Sequence, residues 1–122
     1  MRNNFLFTVD ILNNEYWVAV FVGDDIEKLT KLVKRHFETN EIPKTNNPRG
    51  FYFGHTDYSP FIWINTKLFN KKSDTIYATV AHEAIHAIDD IFRKIGSQER
   101  DELFAHGVTA IVRKFHLEYI KK

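Results

Sequence analysis

His82-Glu83-Ala84-Ile85-His86 places two imidazoles four residues apart, with a carboxylate directly after the first. On a helix, residues i and i+4 stand one above the other on the same face. Two imidazoles so placed can grip one divalent ion, at about 2.0–2.1 Å each for Zn²⁺. Glu83 is turned about 100° around the helix axis from His82. It stands beside the ligand pair rather than in it, where it can take a proton from a water on the metal. The chemistry this predicts is hydrolysis by a metal-activated water. The chain has no cysteine, so any metal must be held by His, Asp or Glu.

A catalytic zinc takes three protein ligands and leaves a fourth position to water. The pattern HExxHxxGxxH is not continued here, because Asp89 and Phe92 occupy the Gly and His places. The third ligand is therefore expected on the next helix, where Glu99, Asp101, Glu102 and His106 are the candidates. Glu99, Glu102 and His106 are three and four residues apart and share a face. If the two helices pack antiparallel about Gly96, positions level with His86 fall near residue 106. Glu102 lies one turn closer to the bend and has reach. Helix geometry leaves both Glu102 and His106 open.

Other residues carry weaker signals. Thr79 and Asp89 fall near the histidine face, where they can orient the ligands. His55, Tyr58 and Tyr52 lie in the long irregular stretch and are candidates to stabilise an oxyanion, although each residue type is more often a surface or packing group. His36 and His116 have no partner at ligand spacing. Ser59 has no nearby base and no nucleophile-elbow motif, so serine hydrolase chemistry is not supported.

The elements that must position these groups can be read from patterning. Residues 5–12 and 16–22 are rich in β-branched and aromatic types and are separated by Asn13-Asn14-Glu15, which predicts a hairpin. Asp24 or Asp25 then caps a helix to about Glu38, with Ile26, Leu29, Val33 and Phe37 on one face. Its other face carries Lys28, Lys31, Lys34 and Arg35, which reads as a solvated surface before it reads as a nucleic-acid contact. Residues 39–60 hold all three prolines and are expected to be irregular, with a short strand around Phe51-Tyr52-Phe53-Gly54-His55. Residues 61–65 read as a strand. Ser73 or Asp74 caps a long helix to Ile95, Gly96-Ser97 breaks it, and a last helix runs from about Gln98 to Tyr119. On the motif helix Val80, Ala84, Ala87, Ile91 and Ile95 cluster roughly opposite the two histidines, which predicts that this stripe meets a sheet and the histidines face a cleft.

Composition sets the outer bounds. A chain of 122 residues, 43% hydrophobic with eleven phenylalanines, suits one folded domain over residues 1–122. The fold class expected is α+β: a small antiparallel sheet packed on three helices, with the motif on the second. A net charge of +1 disfavours a nucleic-acid binder driven by bulk charge. No apolar run reaches membrane-spanning length, and residues 1–10 lack the features of a signal peptide, so the cytosol is the simplest compartment.

The motif helix, the Gly break and Glu102-Leu103-Phe104-Ala105-His106 together resemble the gluzincin-type metallopeptidases. The resemblance implies a minimal zincin domain with one Zn²⁺ per chain, held by His82, His86 and Glu102, with Glu83 as general base. It implies that His106 braces a ligating histidine. His106 stands where the family has an acidic or amide residue, and a three-histidine site, as in SprT-like proteins, is the alternative ligand set. Phe61-Ile62-Trp63-Ile64-Asn65 followed by Thr79 to Glu83 is also similar to small phage- and prophage-encoded proteins with a zincin motif, whose compartment is the host cytoplasm. The likeness covers about residues 60–112, and its specific part is HExxH. In zincins the edge strand above the motif helix binds an extended peptide. The resemblance implies that role for Phe61 to Asn65, a peptide or protein as substrate, and a second subdomain, a dimer or another protein to wall the cleft. A different reading is a non-catalytic, metal-stabilised module that docks on a host protein. Glu83 weighs against that reading, since a purely structural site needs no base.

Overall fold

The two segments read as a hairpin are β1, Phe5–Ile11, and β2, Tyr16–Val22, paired antiparallel in a computed structural model of the chain. The structure describes residues 2–12, 15–37, 50–53, 60–69, 74–95 and 101–121. After the hairpin come α1 (Ile26–Phe37), β3 (Gly50–Phe53), β4 (Phe61–Ile64), a short 3₁₀ turn at Thr66–Leu68, α2 (Thr75–Ile95) and α3 (Asp101–Tyr119). The α+β class expected from patterning is what forms. Among the described residues no helix is long and apolar enough to cross a membrane.

The sheet corrects two expectations. Its order is β1-β2-β4-β3, and β4 pairs parallel with β2 and antiparallel with β3, so the sheet is mixed rather than antiparallel. A parallel pair needs a crossover between its strands, and α1 lies in that connection. The second correction concerns Phe61, Ile62, Trp63 and Ile64. They form an interior strand, and the edge beside the motif helix is β3. The physical reason is visible in β4 itself: all four residues are buried, as suits a strand covered on both faces.

The pleat divides the core in two. Val18, Val20, Val22, Ile62 and Ile64 join Phe5, Phe7, Val9 and Ile11 on one face, where α2 and α3 pack. Ala19, Phe21, Phe61 and Trp63 point the other way and meet Leu29 and Leu32 of α1. The Trp63 indole donates to the Gly23 carbonyl at 2.9 Å, which satisfies its one polar atom inside that second core. The start of α1 is capped twice. Asp25 accepts from the Lys28 amide at 3.0 Å, and Asn4 accepts from the amides of Asp24 and Asp25, each at 3.0 Å. Asn4 holds that position with φ of 55°, and a Cβ on Gly23 would come within 2.1 Å of its side-chain oxygen.

Helix α2 buries Ile76, Val80, Ala84, Ala87, Ile88, Ile91 and Phe92. Ile95, expected in the stripe, is exposed at the helix end. Helix α3 runs antiparallel beside α2: Phe104 meets Phe92 edge to face at 5.7 Å, and Tyr77 meets Phe115 at 5.4 Å. Gly107 lets the helices close in between, since a Cβ there would stand 2.9 Å from Ile88 Cδ1.

Candidate active site

His82 and His86 are exposed on the face of α2 away from the core, as their spacing predicts. Their Nε2 atoms are 3.3 Å apart, and the rings meet at 76° with centroids 4.9 Å apart. Two nitrogens bound at about 2.0–2.1 Å to one tetrahedral ion stand about 3.3–3.4 Å apart. The separation matches that of two nitrogens on one metal, and without a metal it is also the length of a hydrogen bond from one ring to the other. The fit has a chemical side as well, since neutral imidazole nitrogens are preferred zinc ligands.

Glu83 is only 7% exposed, although it neighbours an exposed histidine. Its 100° offset turns it toward the sheet, where it lies under Gly50 of β3. A Cβ on Gly50 would stand 3.0 Å from Glu83 Cγ and 2.5 Å from Thr79 Cγ2. The strand can approach the helix this closely only because residue 50 has no side chain. Burial pushes the Glu83 carboxyl above its ordinary range, while His82 and His86 pull it part of the way back. A carboxylate raised by burial is suited to accepting a proton near neutral pH.

Two cavities open around this group. One, of about 440 Å³, is lined by Gly50, Thr75, Ala78, Thr79, His82 and Glu83. The other, of about 300 Å³, is lined by Gly50, Tyr52, Glu83 and His86. Glu83 and Gly50 belong to both, so the carboxylate stands where the two meet.

The backbone direction of β3 follows from the ladder. The Ala19 amide donates to Pro60 and the Gly23 amide to Ile64, each at 3.0 Å, so even-numbered positions of β4 bond toward β2. Phe61 and Trp63 then bond toward β3, where they face Phe53 and Phe51. Gly50 and Tyr52 are left with their N–H and C=O groups turned outward, and among the described residues no strand pairs with that side.

Tyr52 falls within the short strand expected around residues 51–55, and it also reads as an oxyanion candidate. In the structure it sits on the edge strand itself, and its hydroxyl donates to Asp90 Oδ2 at 2.5 Å. That donor is committed to a carboxylate, so Tyr52 does not serve as an oxyanion donor in this arrangement. Its phenol is pushed far above the usual tyrosine range, first by burial and then by Asp90. The strand itself was expected from patterning, and its place at the edge of the sheet was not.

The remaining candidates are not drawn into the site. Among the described residues, no group of three or more His, Cys, Asp or Glu gathers at metal-holding distance. Glu102 and His106 face each other at 3.8 Å with side chains 91% and 77% exposed. They lie about 160° and 200° around α3 from Phe104, on the side turned away from α2. That placement does not deliver either to the histidine pair, and His106 instead lines a groove with Val9 and Arg113. His55, Tyr58, Ser59 and Glu99 lie outside the described residues, as does the Gly96-Ser97 break. Thr79 bonds back to the Thr75 carbonyl at 3.2 Å, and Asp89 pairs with Arg93 at 2.5 Å. His116 bonds to the Tyr77 hydroxyl at 2.8 Å. Asn65 is buried and accepts from the Lys67 amide at 3.2 Å, so it caps the 3₁₀ turn instead of meeting a substrate.

No protein-family model, no curated protein and no solved structure matches the chain.

Proposed function

We propose that the chain is a zinc-dependent metallopeptidase of the zincin kind, in which the β3 edge receives an extended polypeptide. One observation carries the reading: a pair of Nε2 atoms 3.3 Å apart stands beside a buried carboxylate, directly beneath a sheet edge. His82 and His86 would hold the ion. Glu102, the third ligand that the family resemblance offers, does not stand beside the pair in this arrangement, so the third ligand is left unassigned. Zinc, when bound, supplies polarisation of the scissile carbonyl and acidifies water.

The protein's own groups account for the rest. The outward N–H and C=O groups of Gly50 and Tyr52 can pair with a substrate backbone as an added strand. That places a peptide bond over the two cavities that meet at Glu83. Glu83 takes a proton from the attacking water and delivers it to the leaving amine. Its burial raises its proton affinity, which favours the first of these steps. Among the described residues no Lys or Arg pairs with Glu83, and a buried carboxylate beside the histidines favours catalysis over a metal-stabilised docking module.

The test is zinc content by mass spectrometry together with hydrolysis of an unstructured fluorogenic polypeptide. Near one zinc per chain is expected, lost in His82→Ala and His86→Ala and retained in Glu83→Gln, with hydrolysis lost in all three. Loss of zinc in Glu102→Ala but not in His106→Ala would assign the third ligand to Glu102. The converse would assign it to His106. Wild-type protein that takes up no zinc would overturn the reading, and zinc-loaded protein that cuts no polypeptide would turn it toward the docking module.

A further inference from the structure

Tyr52 joins the edge strand to the motif helix through two contacts made at opposite ends of its side chain. Its hydroxyl donates to Asp90, which is also held by Lys94 at 3.1 Å. Its ring lies nearly parallel to the His86 imidazole, with 19° between planes and 6.3 Å between centroids. Because the hydroxyl is anchored, the ring cannot swing away from His86 without giving up that bond. An imidazole on an exposed helix face otherwise samples several rotamers, and its terminal torsion is broad. Only some of those settings bring its Nε2 toward that of His82. In this structure the imidazole has the Tyr52 ring as a parallel neighbour and the His82 ring as a steep one, and it lines the same cavity as Tyr52.

We propose that Tyr52 is the positioning residue for His86: its anchored ring sets the orientation in which the imidazole meets a metal shared with His82. The inference rests on the reading of His82 and His86 as a metal-holding pair. It also makes one residue serve both parts of the site, since the Tyr52 backbone faces the open edge while its side chain holds a ligand. Groups that orient metal ligands typically change metal affinity by about 10–100-fold when removed.

The test uses the full-length chain, first metal-free and then with Zn²⁺ alone. In the metal-free protein the His86 ring protons should carry a ring-current shift from Tyr52. Tyr52→Phe, whose ring is no longer anchored, should reduce that shift and Tyr52→Leu should abolish it, with the His82 resonances moving less. Zn²⁺ affinity, read by competition with a chromophoric chelator, should fall by about 10–100-fold in Tyr52→Leu and by about 3–10-fold in Tyr52→Phe, which keeps the ring and loses its anchor. Asp90→Ala, which unties the hydroxyl without altering the strand, should weaken Zn²⁺ by about 3–10-fold and keeps the question answerable if Tyr52→Leu does not fold. Unchanged His86 resonances and unchanged Zn²⁺ affinity in Tyr52→Leu would overturn the proposal. Equal losses in the Phe and Leu variants would overturn it too, because the ring would then not be what matters. A wild type that binds no Zn²⁺ would overturn the metal reading alone, and the His86 resonances would still decide the role of Tyr52.

Discussion

At the β1 edge of the sheet, Lys114 of α3 reaches across and donates to the Thr8 carbonyl at 2.6 Å. At the β3 edge, Gly50 and Tyr52 turn the same kinds of backbone group outward, beside Glu83 and the histidine pair. Both edges present rows of outward donors and acceptors that another strand could extend. The register of β1 against β2 leaves Leu6, Thr8 and Asp10 facing out, so Lys114 occupies one of the very groups that would template such pairing. Asp10, exposed on the same strand, adds a charge there. A lysine and a charged residue are ordinary ways to block an edge. Among the described residues, the contrast is that a side chain blocks strand addition at the β1 edge and none does so at the β3 edge, beside the candidate chemistry.

The largest test of this contrast is Glu83→Gln. Loss of a general base lowers turnover by about 10²–10⁴-fold, so peptide hydrolysis should fall in that range with zinc content unchanged. Glu118→Gln, near the β1 edge, should leave hydrolysis as it is. Equal loss in the two would break the comparison.

Gly50→Ala comes next. The added methyl meets Thr79 and Glu83 within 3.0 Å, so strand or helix must shift, at a cost of about 1–3 kcal/mol. Thermal or urea unfolding reads that loss, and hydrolysis should fall with it because Glu83 is displaced.

Lys114→Ala should act only on the other edge. Removing one charge-assisted bond to a carbonyl costs about 1 kcal/mol. Sedimentation should show self-association at concentrations where the wild type does not associate, with zinc affinity unaltered. A variant that sediments like the wild type would mean that α3 covers the edge well enough without the lysine.

The smallest effect concerns pH. The Glu83 carboxyl is raised in the folded chain, so folding favours its protonated form. In metal-free protein its contribution to stability is present below the ordinary glutamate range and is lost as pH rises through the raised value. Glu83→Gln lacks that dependence. The variant should gain stability relative to wild type as pH rises, and the two should converge on acidification, as read by melting temperature across the series.

Much of this was legible in the residues because it is local. The histidine spacing, the Glu83 offset and the apolar stripe all depend on the pitch of one helix. The hairpin and the cap at Asp25 depend on a few neighbouring residues. Strand order is another matter. Phe61–Ile64 has the same appearance as an edge or an interior strand until β2 and β3 take places on either side of it. Glu102 shows the same limit: a spacing that places it on one face of α3 does not say which way that face turns. Gly50 drew no notice as a single glycine, because the reason for it is a helix whose nearest atoms are 29 and 33 residues away in sequence.

The amino-acid order by itself determined which side chains carry chemistry and how those within one helix are spaced, since 3.6 residues per turn is a property of the backbone alone. Tertiary structure alone decided that β3 is the edge above them, that Glu83 is buried beneath a residue without a side chain, and that Tyr52 lies on His86. Those contacts join segments tens of residues apart, and they form only when burial of two separate apolar faces of one sheet selects a single order for its strands.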